Sequence, residues 1–119
     1  MLPDTFSRAP FHEHSLFVDA RNTGDARSAR LIVSGDLDDL NAGTLAHGVL
    51  KALLHRPATL DLDVSGLTFL DTGGIRALLQ CHTDAAQAGC RLTLTDPHPN
   101  VRRVLEIVGL LDQFGLADS

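Results

Sequence analysis

The residues able to do chemistry fall in a few places along the 119-residue chain. The densest is "FLDTGGIRALL", Phe69 to Leu79, where an acid, a hydroxyl and two glycines separate an apolar strand pattern from an apolar helical one. Asp71 or Thr72 is placed to cap that helix, and the free amides of a helix start receive anions. Glycine costs about 1 kcal/mol relative to alanine inside a helix. Two in succession therefore call for a tight turn or for the close approach of another group. No lysine follows them, which excludes a Walker phosphate loop, and the three spaced glycines of a dinucleotide fingerprint are missing. On these four residues alone a cap and a turn are the simpler reading.

Three other constellations carry less. Asp61 and Asp63 share one face of "TLDLDVSG"; paired carboxylates do acid–base work in some sites, but on an exposed strand face they are expected to be solvated. His12 and His14 share a face of an extended segment, too few ligands for a closed metal site, so no metal and no cofactor is expected. A nucleophile needs a base and an orienting group; Thr72 has Asp71 beside it but no histidine, and His82 falls on the apolar stripe of its helix. The chain does not read as an enzyme. Arg102 and Glu106, four apart, form a weak surface pair, and Arg76, one helical step past the glycines, either faces a partner or holds the loop.

The elements that must position the turn follow from periodicity. Residues 1–14 carry Pro3 and Pro10 with no period and read as a loose arm, leaving 15–119 as one domain. "SLFVDA" and "ARLIVSG" are strands joined across the turn residues "NTGDARS". "DLDDLNAG" is rich in capping side chains, and Leu45, Val49 and Leu53 then share a helical face that ends before Pro57. "TLDLDVSG" is a strand, "LTFLD" a short link, and Ile75, Leu78, Leu79 and His82 a helical stripe closed by Gly89. "RLTLTD" is a strand, "PNVRRVLEIVG" a helix, and "LLDQF" a last turn or short helix. Strands separated by single helices imply parallel pairing at the centre. The expected fold is α/β, a mixed four- to five-stranded sheet with helices packed on it.

Composition narrows the function. A net charge of −5 and the lack of Trp and Tyr argue against nucleic acid as the partner. No apolar run nears the roughly 18 residues of a membrane span, and the N-terminus lacks the pattern of a secretory leader. A cytoplasmic protein without membrane insertion is expected, with Cys81 and Cys90 as reduced thiols.

Read together, "GDLDDLNAGTL", "LDLDVSGLTFLDTGGIRALL" and "AGCRLTLTDPHPNVRRVLEIVGLLDQF" closely resemble the STAS domain of bacterial anti-sigma-factor antagonists, from Ser15 to Phe114. The resemblance implies a regulatory module that sequesters an anti-sigma factor and so releases a sigma factor. The partner is often also a serine kinase, whose phosphorylation of the turn breaks the complex. By position Asp71 is the motif acid, Thr72 the first hydroxyl, and Gly73 stands where the phosphoacceptor usually is; Asp63 matches a commonly polar position on the strand before the motif, which implies a structural role. The implied partner-binding turn is Asp71, Thr72, Gly73, Gly74 and Arg76, with the acidic loop of Asp36 and Asp38 beside it. On this reading Gly73 leaves bare backbone facing the partner, Gly74 serves the turn, and Gly73→Ser leaves the fold intact. Thr72 is the substitute phosphoacceptor, although helix capping is its preferred role. The alternative is a STAS accessory subunit docked on the ATPase of a lipid-transporting ABC system, which the Asp-Thr-Gly-Gly turn also resembles. The hairpin edge and a helix face are available for a dimer.

Overall fold

The computed structural model describes residues 15–116; the expected arm at 1–14, with His12 and His14, lies outside them. Four strands, β1 (Leu16–Arg21), β2 (Ser28–Leu37), β3 (Thr59–Leu70) and β4 (Arg91–Thr95), form one sheet in the order β1-β2-β3-β4. β1 runs antiparallel to β2, while β2, β3 and β4 are parallel. The helices are α1 (Ala42–Leu53), α2 (Thr72–Gln87) and α3 (Pro99–Ile107). This is the mixed α/β sheet expected, with four strands.

Register explains the layering. Leu31 pairs with Leu62 and Leu62 with Leu94, while Leu60 pairs with Leu92, so all five point to one face. They meet Leu45 and Val49 of α1, Leu78, Cys81 and Ala85 of α2, and Val101 and Leu105 of α3 in a single core. Each fully buried leucine contributes about 2 kcal/mol. Burial pushes the Cys81 thiol up to about 12, with Asp84 adding to the effect, and burial also raises Cys90. Both cysteines are free, and thiols so protonated are inert.

Two helix ends follow known rules. α2 stops at Gly89, whose φ of +74° is left-handed. The amides of Gly89 and Cys90 return to the carbonyls of Ala86 (3.0 Å) and Ala85 (2.8 Å), the paired pattern of a glycine-terminated helix. At α3 the His98 Nδ1 accepts from the Asn100 amide at 3.1 Å, with proline in the first turn. The chain then closes in a turn over 111–115. There Phe114 is fully buried, meets His82 edge-on at 5.5 Å, and accepts the Leu94 amide at 3.0 Å. The packed histidine is as expected. Arg102 donates to the Leu116 carbonyl at 3.1 Å, which ties α3 to this turn.

Two expectations are corrected. "LTFLD" is not a link: β3 continues to Leu70, with Leu67, Phe69 and Leu70 paired to Gly35, Asp36 and Leu37. Register shifts between Ile32 and Ser34 and between Gly35 and Asp36 break the alternation, which disguises the strand in sequence. Nor is Asp61 simply solvated, and Asp63 is structural, as the resemblance implied. Arg30 bridges them at 3.2 and 2.9 Å, the hydroxyls of Thr93 and Thr95 donate to Asp61, and the Ser65 amide donates to Asp63 at 2.9 Å. The polar face of the sheet is therefore a cross-strand network.

Burial works to raise the Asp63 carboxyl, but the hydrogen bonds from Ser65 and Arg30 outweigh it and hold the group below its ordinary value. A depressed carboxyl contributes stability that is present above the unfolded value of about 4 and is lost as pH falls through the folded one. Asp63→Asn is expected to lower the thermal midpoint at neutral pH. Its deficit against the parent should shrink as pH drops below about 4. Circular-dichroism melts from acid to neutral pH measure both, and a deficit that stays constant with pH would remove Asp63 from this role.

Candidate functional site

The turn sits at the carboxyl edge of the parallel strands, where β2 ends at Leu37 and β3 at Leu70. Open α/β sheets place their sites along this edge. Asp71 is the N-cap of α2: extended in backbone, it accepts the Gly74 amide on Oδ1 at 2.9 Å, while its own carbonyl accepts the Ile75 amide at 2.9 Å. Thr72 is thus not the cap. It is the first helical residue, exposed, and among the described residues its hydroxyl has no partner. No base is held against it, so the nucleophile arrangement is not assembled there.

The glycines serve close approach. Both are buried. A Cβ on Gly74 would collide with the Leu37 carbonyl oxygen and lie 2.7 Å from Leu70 Cδ1. Gly74 therefore lets the first turn of α2 rest directly on the ends of β2 and β3. A Cβ on Gly73 would collide with the Asp39 carboxylate and stand 2.8 Å from the Asp39 amide nitrogen. Gly73 is consequently not bare backbone facing outward; Asp39 lies over it. The expectation that a serine fits here without disturbance is corrected for the same reason.

Asp39 also meets Arg76, at 3.9 Å, with the two side chains 72% and 67% exposed. A pair so long and so exposed adds little stability, but it places a guanidinium and a carboxylate side by side on the surface. The acids of the preceding loop divide in role. Asp38 is only 5% exposed; its Oδ1 accepts the amides of Leu40 (2.9 Å) and Asn41 (3.2 Å). Asn41 returns the favour, accepting the Asp38 amide at 2.9 Å and donating to the Asp36 carbonyl at 2.8 Å. Asp38 and Asp36 thus belong to a locked loop, in which Asp38 is buried. The expected caps of α1 act on this loop: Asn41 makes no side-chain cap to the helix.

The lock has a consequence that the sequence did not announce. It holds Leu40 out with 92% of its surface exposed. Leu40 and Asp39 are the two site residues missed in sequence; the available signal was Asn three residues after Asp38, the spacing of a reciprocal cap. The start of α2 is also no open anion cradle. The Asp71 and Asp39 carboxylates already meet its positive end and oppose an incoming anion. Among the described residues no group of three or more His, Cys, Asp or Glu is placed to hold a metal, and no helix is long and apolar enough to cross a membrane.

The fold has solved counterparts. An anti-sigma factor antagonist from Mycobacterium paratuberculosis superposes with a TM-score of 0.71 at 20% identity, covering 89% of this chain and 88% of that one. The anti-sigma factor antagonist SpoIIAA in its unphosphorylated form gives 0.65 at 20%, over 79% and 82%. The murine Slc26a9 anion transporter gives 0.63 at 17%, over 92% of this chain but 21% of that one. At such identities the likeness is one of fold, shared by regulators and a transporter alike. No curated protein matches the sequence. Residues 21–116 match the family model described as Mlab, STAS domain, and the chain, a single sheet with its turn at the edge, belongs to the STAS-domain family.

Proposed function

We propose that the chain is a protein-binding regulatory module of the anti-sigma-factor-antagonist kind, docking an anti-sigma factor, in some cases itself a serine kinase, through Leu40, Thr72 and Arg76. The observation that carries this reading is Leu40. A leucine held in solvent by a loop closed through Asp38 and Asn41 is ordered without being buried, and it stands on the edge that carries an unpartnered hydroxyl and an exposed guanidinium. Such an apolar anchor with a polar surround is how interfaces are built. Binding acts by occupancy, and any kinase activity belongs to the partner. Thr72 is the available phosphoacceptor: a phosphate there adds nearly two negative charges beside Asp71 and Asp39.

A specific observation favours a second reading. Residue 73 has no room for a phosphoacceptor side chain while Asp39 lies over it. A turn with no switch at that position suits a standing contact, such as a STAS subunit docked on the ATPase of a lipid-transporting ABC system. Pull-down from the host lysate with the parent chain, Thr72→Glu and Leu40→Asp separates the two. Capture of an anti-sigma factor, reduced at least about tenfold by either substitution, supports the first. An ABC ATPase as the captured protein selects the second, and capture unaffected by both substitutions removes the turn from the interface.

A further inference from the structure

Away from the turn, α1 and the edge strand β1 enclose a cleft of about 300 Å³. Its floor is apolar: Val18 and Ala20 of β1, Leu31 of β2 and Ala52 of α1. Its rim is His47 and Lys51, four apart and therefore on one side of α1, with His55 in the turn just past the end of the helix. Of the fifteen acidic residues in a chain of net charge −5, none lines it. Among the described residues no hydrogen bond or ion pair engages the Lys51 ammonium or either imidazole. Past His55 the cleft meets a second, of about 670 Å³, at the β1–β2 turn; the two share Ala20, Leu31, Ala52 and His55, but the second takes the charged side chains of Arg21, Asp25 and Arg30 into its lining, so the apolar trough ends there.

We propose that this cleft binds an amphipathic carboxylate, a fatty-acid-like molecule whose chain lies on the Val18–Ala20–Leu31 floor and whose acid group meets Lys51. A small-molecule site is mostly apolar with a few placed polar groups that fix orientation, and this one combines an apolar trough with a cation at its lip. Charge complementarity selects the head group: a cationic amphiphile meets Lys51 unfavourably and finds no carboxylate in this cleft to offset it. The site is independent of the partner-docking turn, so either is able to fail alone.

The test is titration of the full chain with decanoate below its micelle concentration, followed by calorimetry and by NMR of the Val18 and Ala20 methyls. Decyltrimethylammonium and acetate serve as the matched chain and the matched head. Decanoate is expected to bind and to shift those methyls, and the other two to bind at least tenfold more weakly. Lys51→Glu, at an exposed position, should weaken decanoate at least tenfold. Ala20→Phe should do the same by filling the floor without changing charge, with an unchanged far-ultraviolet spectrum for both. Phosphatidylglycerol vesicles distinguish the source: co-sedimentation of the protein points to a bilayer lipid, and its absence beside decanoate binding points to a free acid. Equal binding of decanoate and the ammonium compound, no methyl shifts, or binding of an acidic peptide in place of decanoate would each overturn the proposal.

Discussion

Gly74→Ala is expected to lower the stability of the domain by about 3 kcal/mol, the upper part of the range for forcing atoms into a packed site. The reason is the nature of what the new methyl meets. The Leu37 carbonyl belongs to the end of β2, and a backbone group in a sheet cannot swing aside as a side-chain tip does. Helix α2 must then back away from the strand ends. That movement strains the Asp71 cap on the Gly74 amide, itself worth about 1 kcal/mol. Gly43→Ala supplies the contrast. Gly43 lies in the first turn of α1 with nothing within 4 Å of its added carbon, so the better helix former should stabilise by under about 1 kcal/mol. Urea unfolding with an unchanged m-value measures both. Equal effects at the two positions would show that close approach is not what Gly74 provides.

The difference between these two glycines marks how far sequence could lead. Periodicity located the four strands and three helices of the described residues because one face of each is buried or, in β1, half-buried: Leu60, Leu62 and Val64 alternate, and Leu78, Cys81 and Ala85 recur at helical spacing. It failed where burial stops alternating. The second half of β3 pairs through a pair of register shifts, so Ser65 to Leu70 shows no period of two although it is strand throughout. The polar network on the open sheet face was half visible. Asp61 and Asp63 were seen to share a face, but Arg30 lies 31 and 33 positions from them, and only the parallel register brings it between the two.

The candidate site was legible in its location and not in its orientation. The pair of glycines after an acid marked the edge of the sheet, and Asp71, Thr72, Gly73, Gly74 and Arg76 do gather there. In "DLDDLN" three acids stand within four residues, and nothing in their identity tells which one turns inward. Tertiary contact decides it. Asp38 closes a reciprocal cap with Asn41 and is buried, leaving Asp39 to lie across Gly73 and Leu40 to point outward. Thr72 and Asp71 likewise exchanged roles, because the residue whose backbone is extended becomes the cap, and that is Asp71.

Gly73→Ser brings these points together and is expected to cost about 1–2 kcal/mol, less than Gly74→Ala. Two of the three atoms its Cβ meets belong to the Asp39 carboxylate, which is mostly exposed and free to rotate outward; only the Asp39 amide nitrogen, at 2.8 Å, is backbone. Asp39→Ala removes the movable part of the conflict. The double variant Gly73→Ser with Asp39→Ala should therefore be more stable than the sum of the single effects by about 1 kcal/mol, a coupling well outside the few tenths expected of independent sites. Additivity within about 0.5 kcal/mol would show that Asp39 does not crowd residue 73. The same cycle bears on regulation. With Asp39 in place, a serine at this position must displace the Asp39 carboxylate before it is presented to any kinase. With Asp39 removed it has room, so phosphate transfer from a cognate kinase should be faster to the double variant than to Gly73→Ser alone, as read by intact mass. The glycine and the aspartate thus form one unit: the chain has placed a permanent negative charge where a side chain at 73 would stand, and restoring a hydroxyl there requires changing both.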